Sequence, residues 1–317
     1  MLGEIPARHS TPFIRAGKRS GRTIPVTDIP DTTAPYAIVP FDACLGAEIE
    51  GMDLRRLDDA AVAFVADALE AHHVIRLRGQ SLTDPDLIAF ASKFGDLDPP
   101  NPSPYGRPIH PTHPELNIIT NLKDDAGIPL GNLSNGEAVW HADITCRAIP
   151  PKASALYAIE VPPEGGDTYF ADMFAAYDAL DDAMKRRIEG LKAIHDEAHN
   201  SVGMLRHGFE EVTDVRDTPG ARHPLVRRHP KTGAKSLFLG RRPYSYIVGL
   251  ELDESEDLLD ELWAHATQPQ FTCGVQWRPG DLVMWDNLAV LHRRDSFDDS
   301  YRRVMHRAQI KGTEAIA

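Results

Sequence analysis

Two patches far apart in the chain carry the residues best suited to chemistry. One is Trp140-His141-Ala142-Asp143; the other runs Trp285-Asp286-Asn287, Leu291-His292 and then Tyr301 to Arg307. Two imidazoles and one carboxylate on one face of a metal leave three positions open, which is how non-heme iron takes up a cosubstrate and oxygen. In His141-x-Asp143 the side chains are two apart, so on a strand both leave the same face, with roughly 7 Å between Cα atoms. Spacing alone does not mark a site, because His195-Asp196-Glu197 repeats it and a surface pair looks the same. His292 adds the third group. It follows the apolar run Asp281–Trp285 and the turn Asp286-Asn287, from which it would project at the mouth of a barrel.

From Tyr301 onward the odd-numbered residues share one strand face: Tyr301, Arg303, Met305, Arg307 and Gln309. An arginine aimed into a barrel is costly unless it meets an anion, so recognition of a carboxylate is the natural role for Arg303 and Arg307. On an edge strand the same residues would face water.

The elements that must position these groups read as a β-rich pattern. Strands are expected at Ala37-Ile38-Val39, Ala47-Glu48-Ile49, His73 to Leu77, Ala153 to Ile159, Thr168 to Phe170, Gln270 to Trp277, Asp281 to Trp285 and Arg303 to Lys311. Helices are expected over Asp58 to His72, from the N-cap Thr83 to Phe94, near Met173–Leu180 and Asp181–Leu191, and from Glu254 to Ala266 with Asp253 as N-cap. Residues Asp96 to Glu137 are rich in Pro, Asn, Gly and His and read as a functional loop or lid, with Tyr105 and His110 to His113 as a wall of it.

The chain has 317 residues, enough to bury a core without disulfides or a structural metal. A net charge of −13 disfavours nucleic acid as a partner but not a small anion met by local arginines. No apolar stretch is long enough to span a membrane, the N-terminus lacks the apolar core of a signal peptide, and three scattered cysteines show no paired spacing. A cytoplasmic location is the simplest expectation. Residues 1–35, rich in Arg, Thr and Pro, are expected to form a flexible arm, and 36–317 one domain.

The ordered set Trp-His-x-Asp, Gly165-Gly166-Asp167-Thr168, Trp285-Asp286-Asn287, His292 and Arg303-Val-Met-His-Arg307 resembles the taurine and 2,4-dichlorophenoxyacetate dioxygenase family. Leu45-Gly46-Ala47, Gly51-Met52-Asp53-Leu54, Phe94-Gly95 and His229-Pro230-x-x-Gly233 extend the likeness over residues 36 to 312. The resemblance implies a mainly β fold with flanking helices, a double-stranded β-helix (jelly roll, cupin-like) with iron at one end. It implies Fe(II) held by His141, Asp143 and His292, with 2-oxoglutarate and O2 as cosubstrates. Thr168 and Arg307 would hold the distal carboxylate of 2-oxoglutarate, and Arg303 would approach the carboxylate nearest the metal. The implied reaction hydroxylates a substrate, with cleavage where the carbon carries a heteroatom, and releases succinate and CO2.

Two other readings use the same residues: desaturation of a specialised metabolite, and a non-catalytic 2-oxoglutarate sensor. The intact ligand set speaks against the sensor, and the retained Asp143 against halogenation. Taurine-type members place His and Tyr after the Phe-Gly motif and Asn before the metal-binding His; here the loop reads Asp96-Leu-Asp-Pro-Pro-Asn-Pro and Glu137 stands at the latter position. The expected substrate is therefore another small organic anion, carboxylate or sulfonate, with Glu137, Arg241, Arg242 and Tyr244 as candidate contacts. A solvated basic loop would look the same. His195 and His199 have a zinc-like spacing but lack the His-Glu-x-x-His pattern. Family members are often dimers or tetramers, and no segment marks an interface.

Overall fold

Residues along Leu282–Asp286 alternate between two cores: Leu282 and Met284 face one, Val283 and Trp285 the other. That two-residue period makes this a strand buried on both sides. The computed structural model describes residues 36–100, 110–131, 138–241 and 243–317. The arm at 1–35, Tyr105, Glu137 and Arg242 lie outside the described residues.

In chain order the strands begin with β1 (Ala37–Pro40), β2 (Ala47–Glu50), β3 (Val74–Leu77), β4 (Leu116–Thr120), β5 (Ala138–His141), β6 (Ala153–Glu160) and β7 (Thr168–Asp172). Five short ones follow: β8 (Lys192–Ile194), β9 (Arg222–Pro224), β10 (Val226–Arg228), β11 (Lys235–Leu237) and β12 (Tyr246–Ile247). The last four are β13 (Thr272–Val275), β14 (Leu282–Asp286), β15 (Val290–Arg294) and β16 (Val304–Ile310). The α-helices are α1 (Asp59–His72), α2 (Asp84–Ser92), α3 (Met173–Asp178), α4 (Asp182–Ile188) and α5 (Leu252–Ala266).

Seven strands form a major sheet in the order β1-β2-β3-β14-β6-β16-β4, and four form a minor sheet, β13-β7-β15-β5. All neighbours are antiparallel except β2 and β3. The two sheets are the walls of a jelly roll. Between them lies a core drawn from both, including Leu156, Phe170, Val275, Trp277, Val283, Trp285 and Met305. Helices α1 and α2 cover the outer face of the major sheet through Val65, Ala68, Leu87 and Phe90. On the outer side of the minor sheet, Ala171 and Leu291 pack with Leu259, Leu262 and Trp263 of α5.

Helix ends follow from local chemistry. The Asp58 carboxylate accepts from Ala61 N at 2.8 Å to start α1, and Thr83 and Asp86 form a reciprocal capping box on α2. Helix α2 stops at Ser92, short of the expected Phe94. Helix α5 starts at Leu252 with Glu251 as N-cap and no side-chain capping bond, so Asp253 lies in the first turn and is not the cap. Strand β4, inside the stretch read as a lid, is a further departure: it pairs along β16 from Leu116 to Thr120.

Candidate metal centre and the cavity around it

Strands β5 and β15 are paired so that His141 and His292 stand directly opposite each other. Their rings lie 4.1 Å apart, centroid to centroid. Contrary to expectation, His292 is inside a strand and Asp143 is not: β5 ends at His141 and a turn brings the carboxylate round. Ile144, next in the turn, has φ +50°, a conformation a β-branched residue adopts only when its surroundings impose it. Asn287 supplies that constraint. Its Oδ1 accepts from Asp143 N at 2.7 Å, while its Nδ2 donates to Asp143 O at 2.8 Å and to Pro151 O at 2.9 Å.

The donor atoms of His141, Asp143 and His292 all lie within 4.8 Å of one another, and the group is buried. His141 Nε2 is 3.7 Å and His292 Nε2 3.9 Å from Asp143 Oδ1. Both separations are below twice a metal–ligand bond of roughly 2.1 Å, so one ion could bridge all three. The donor set fits a metal. His141 Nδ1 donates to Val139 O at 2.7 Å, which fixes the tautomer and leaves the Nε2 lone pair facing Asp143. Ser154 Oγ donates to Asp143 Oδ2 at 2.9 Å, leaving Oδ1 toward the imidazoles. Burial alone would raise the Asp143 carboxyl, but Arg307, both imidazoles and the Ser154 hydroxyl together hold it well below the usual carboxylate range. Burial also lowers both histidines, His141 to about 4, so at neutral pH they are uncharged, as ligands must be.

A cavity of about 120 Å³ opens onto this group and is also lined by Thr168, Arg294, Arg303 and Arg307. The two arginines of β16 and its approach meet different parts of the cavity wall. Arg307 Nη1 donates to Asp143 Oδ1 at 2.6 Å, beside the imidazoles. Arg303 lies at the turn before β7, donating through Nη2 to Gly166 O at 3.3 Å. Gly166, at φ +68°, lets it approach: a Cβ there would sit 3.2 Å from Arg303 Nε. Burial and the neighbouring Arg294 pull Arg303 down to about 9, against Asp167.

A second basic group lines the cavity through Arg241 and Arg206, with Asn200 and Ser201. Arg241 forms an isolated bridge with His141, and its guanidinium is bonded to the Asp196 carboxylate and to His199 O, the latter at 2.9 Å. Tyr244 does not line the cavity; at φ +61° its ring stacks on His199 with centroids 3.8 Å apart. His195 and His199 do not form a metal group among the described residues: His199 lies between Asp196 and Glu211, and His195 stacks on Phe238.

A further group, Asp84, His110 and His306, sits away from the cavity. His110 Nδ1 accepts from the backbone of Thr112 and His113, so its proton is on Nε2 and goes to Asp84 Oδ2 at 3.0 Å. A metal on Nε2 would leave that ring with no proton, so hydrogen bonding explains this group better.

Sequence reasoning did not single out Asp196, Ser154 or Arg294. For Arg294 a signal existed: His292-x-Arg294 places both on one strand face.

Residues 37–309 match the family described as taurine catabolism dioxygenase TauD, TfdA family. The chain is 36% identical over 293 residues to the (S)-phenoxypropionate/alpha-ketoglutarate-dioxygenase of Sphingobium herbicidovorans, covering 88% of this chain and 96% of that one. It is 38% identical over 277 residues to the alpha-ketoglutarate-dependent 2,4-dichlorophenoxyacetate dioxygenase of Cupriavidus pinatubonensis, covering 85% and 95%. Among solved structures, AAD-2 in complex with Mn(II) and N-oxalylglycine superposes with a TM-score of 0.72 at 35% identity, over 89% of this chain and 99% of that one.

Proposed function

Because the chain belongs to the taurine catabolism dioxygenase TauD, TfdA family and is a dioxygenase dependent on Fe(II), 2-oxoglutarate and O2, we propose that it hydroxylates a small organic anion, with His141, Asp143 and His292 holding the iron. The observation that carries the reading is the meeting, in one cavity, of a His-carboxylate-His group with Thr168, Arg303 and Arg307. Bound iron supplies the redox chemistry that couples loss of CO2 from 2-oxoglutarate to oxidation of a substrate C–H bond, leaving succinate.

The chain's own residues bind, orient and exclude water. The Val139 carbonyl fixes the His141 tautomer, and Ser154 turns Asp143. Phe170 and Trp285 wall the side of His292 with aromatic rings. Arg303, with Thr168, takes the distal carboxylate, and Arg307 serves the carboxylate nearest the metal, the order their positions favour. For the substrate anion the reading assigns Arg241, held in place by Asp196. The phenoxypropionate and 2,4-dichlorophenoxyacetate named for two relatives support a carboxylate next to an ether. Hydroxylation of that carbon gives a hemiacetal, which breaks to a phenol and an oxoacid.

The reading further takes residues 36–317 as one catalytic domain with 1–35 as an arm, in a cytoplasmic dimer or tetramer. No disulfide joins Cys44, Cys146 and Cys273, and no helix of the described residues is long and apolar enough to cross a membrane. Deleting 1–35 and measuring mass in solution tests the arm's part in assembly.

The central test is anaerobic titration of the metal-free protein with Fe(II) and 2-oxoglutarate, followed by the visible charge-transfer band of the chelate. The band is expected, weakened in His141→Ala and Arg303→Met, with succinate release then stimulated by aryloxy carboxylates. A folded protein without the band would overturn the assignment.

A further inference from the structure

Arg294 stands where the mechanism above has left one buried guanidinium unused. Strand β15 pairs with β7 so that Arg294 faces Thr168, and the two-residue period puts it on the same side as His292. Arg294 is 6% exposed and Arg303 2%, and both line the cavity. Thr168 Oγ accepts from Trp277 Nε1 at 3.0 Å, so its own proton must go to a different acceptor. Arg303 uses Nη2 on a carbonyl, and its buried Nε has no partner among the described residues. The Phe297 ring, 5.5 Å from the Arg294 guanidinium carbon, gives that side chain an apolar backing. Both guanidiniums are buried on the wall of the same cavity, near enough for their like charges to repel. An anion held between two such groups would draw on both.

We propose that Arg294 binds the distal carboxylate of 2-oxoglutarate together with Arg303 and Thr168, so that two guanidiniums and a hydroxyl select a 2-oxoacid that ends in a carboxylate. The inference rests on the 2-oxoglutarate reading and adds a residue to it. A forked donor on each side of the carboxylate is the geometry arginine supplies and lysine does not.

The test is calorimetric binding of 2-oxoglutarate, and of 2-oxobutanoate, which lacks the distal carboxylate, to the full chain loaded with Mn(II). Arg294→Met is expected to weaken 2-oxoglutarate by about tenfold to a hundredfold and to leave 2-oxobutanoate within about twofold. An equal loss for both ligands would mean that Arg294 only supports the fold, and no loss for either would also overturn the proposal. If Arg294→Met does not fold, Arg294→Lys takes its place, with a smaller loss confined to 2-oxoglutarate expected and a loss shared by both ligands counting against it. Arg303→Met separates the two claims. Should it lose 2-oxoglutarate while the Arg294 variants keep it, the functional reading stands and the role of Arg294 falls; should the unmodified protein not bind 2-oxoglutarate, both fall.

Discussion

Asp143 is held through its backbone as firmly as through its side chain. Asn287, 144 residues away, takes both the Asp143 N–H and its carbonyl and adds the Pro151 carbonyl, in a fully buried position. Truncating it leaves those buried groups without partners, each costing about 1–3 kcal/mol. Asn287→Ala is therefore expected to lower the unfolding midpoint and, by loosening the turn that carries Asp143, to weaken Mn(II) binding about 10- to 100-fold. Asn287→Asp keeps one acceptor but sets a carboxylate oxygen against two buried carbonyls, so it should be no milder than Asn287→Ala. Metal affinity unchanged in a folded Asn287→Ala would show that Asp143 needs no such clamp. At this scale the residue types of the site were legible, because His-x-Asp, His and paired arginines are chemically distinctive. Their contacts were not. Which of Arg303 and Arg307 lies against Asp143 depends on the register of β16 in the sheet, which the pattern of a single strand does not contain.

At the edge where β5 meets Gly240-Arg241, one backbone position adjoins two residues of the proposed site. Gly240, at φ +70°, accepts from Ala142 N at 2.9 Å, and Arg241 bridges His141 across the same edge. A Cβ on Gly240 would stand 2.2 Å from His195 Nδ1, and His195 is fully buried against Phe238. Gly240→Ala should cost about 1–3 kcal/mol for the backbone conformation, with the clash in addition. It should raise KM for the anionic substrate more than KM for 2-oxoglutarate, because Arg241 moves and the Thr168 wall does not. Shortening the obstructing ring in Gly240→Ala/His195→Ala is expected to recover part of the stability; strictly additive losses would contradict the packing explanation. Strands with buried apolar runs such as β14 were legible for the same reason that they are stable. Strands β4 and β15 were not: β4 is embedded in a stretch rich in Pro and His, and β15 carries His292, Arg293 and Arg294, three polar residues in a row.

For the molecule as a whole, the buried imidazoles set how stability depends on pH. Burial, the largest cause in each case, lowers His141, His195, His223 and His292 below the ordinary histidine value of 6.5. For a base whose folded value is depressed, the unfolded chain binds more protons than the folded one between the two values, so stability rises with pH across that window. Each imidazole contributes a slope of up to about 1.4 kcal/mol per pH unit there. Asp143 works in the same direction at lower pH: its folded value is depressed, so the stability it adds is present above the unfolded carboxylate value and is lost as pH falls through the folded one. Metal-free protein should therefore show an unfolding midpoint that climbs from about pH 4.5 to 7, with the steepest part below the histidine value. His195 is the member to remove, since its ring is fully buried, away from the His141, Asp143 and His292 group, and neither of its nitrogens has a partner among the described residues. His195→Leu should flatten the climb by close to one proton's worth while leaving the plateau near neutral pH little changed. Added Mn(II) should raise the midpoint by similar amounts at pH 5 and pH 7, because His141, His292 and Asp143 are already free of protons in the folded protein at both. A midpoint that falls with rising pH over this range would contradict burial of neutral imidazoles, and a slope unchanged in His195→Leu would shift the effect onto the histidines beside Asp143.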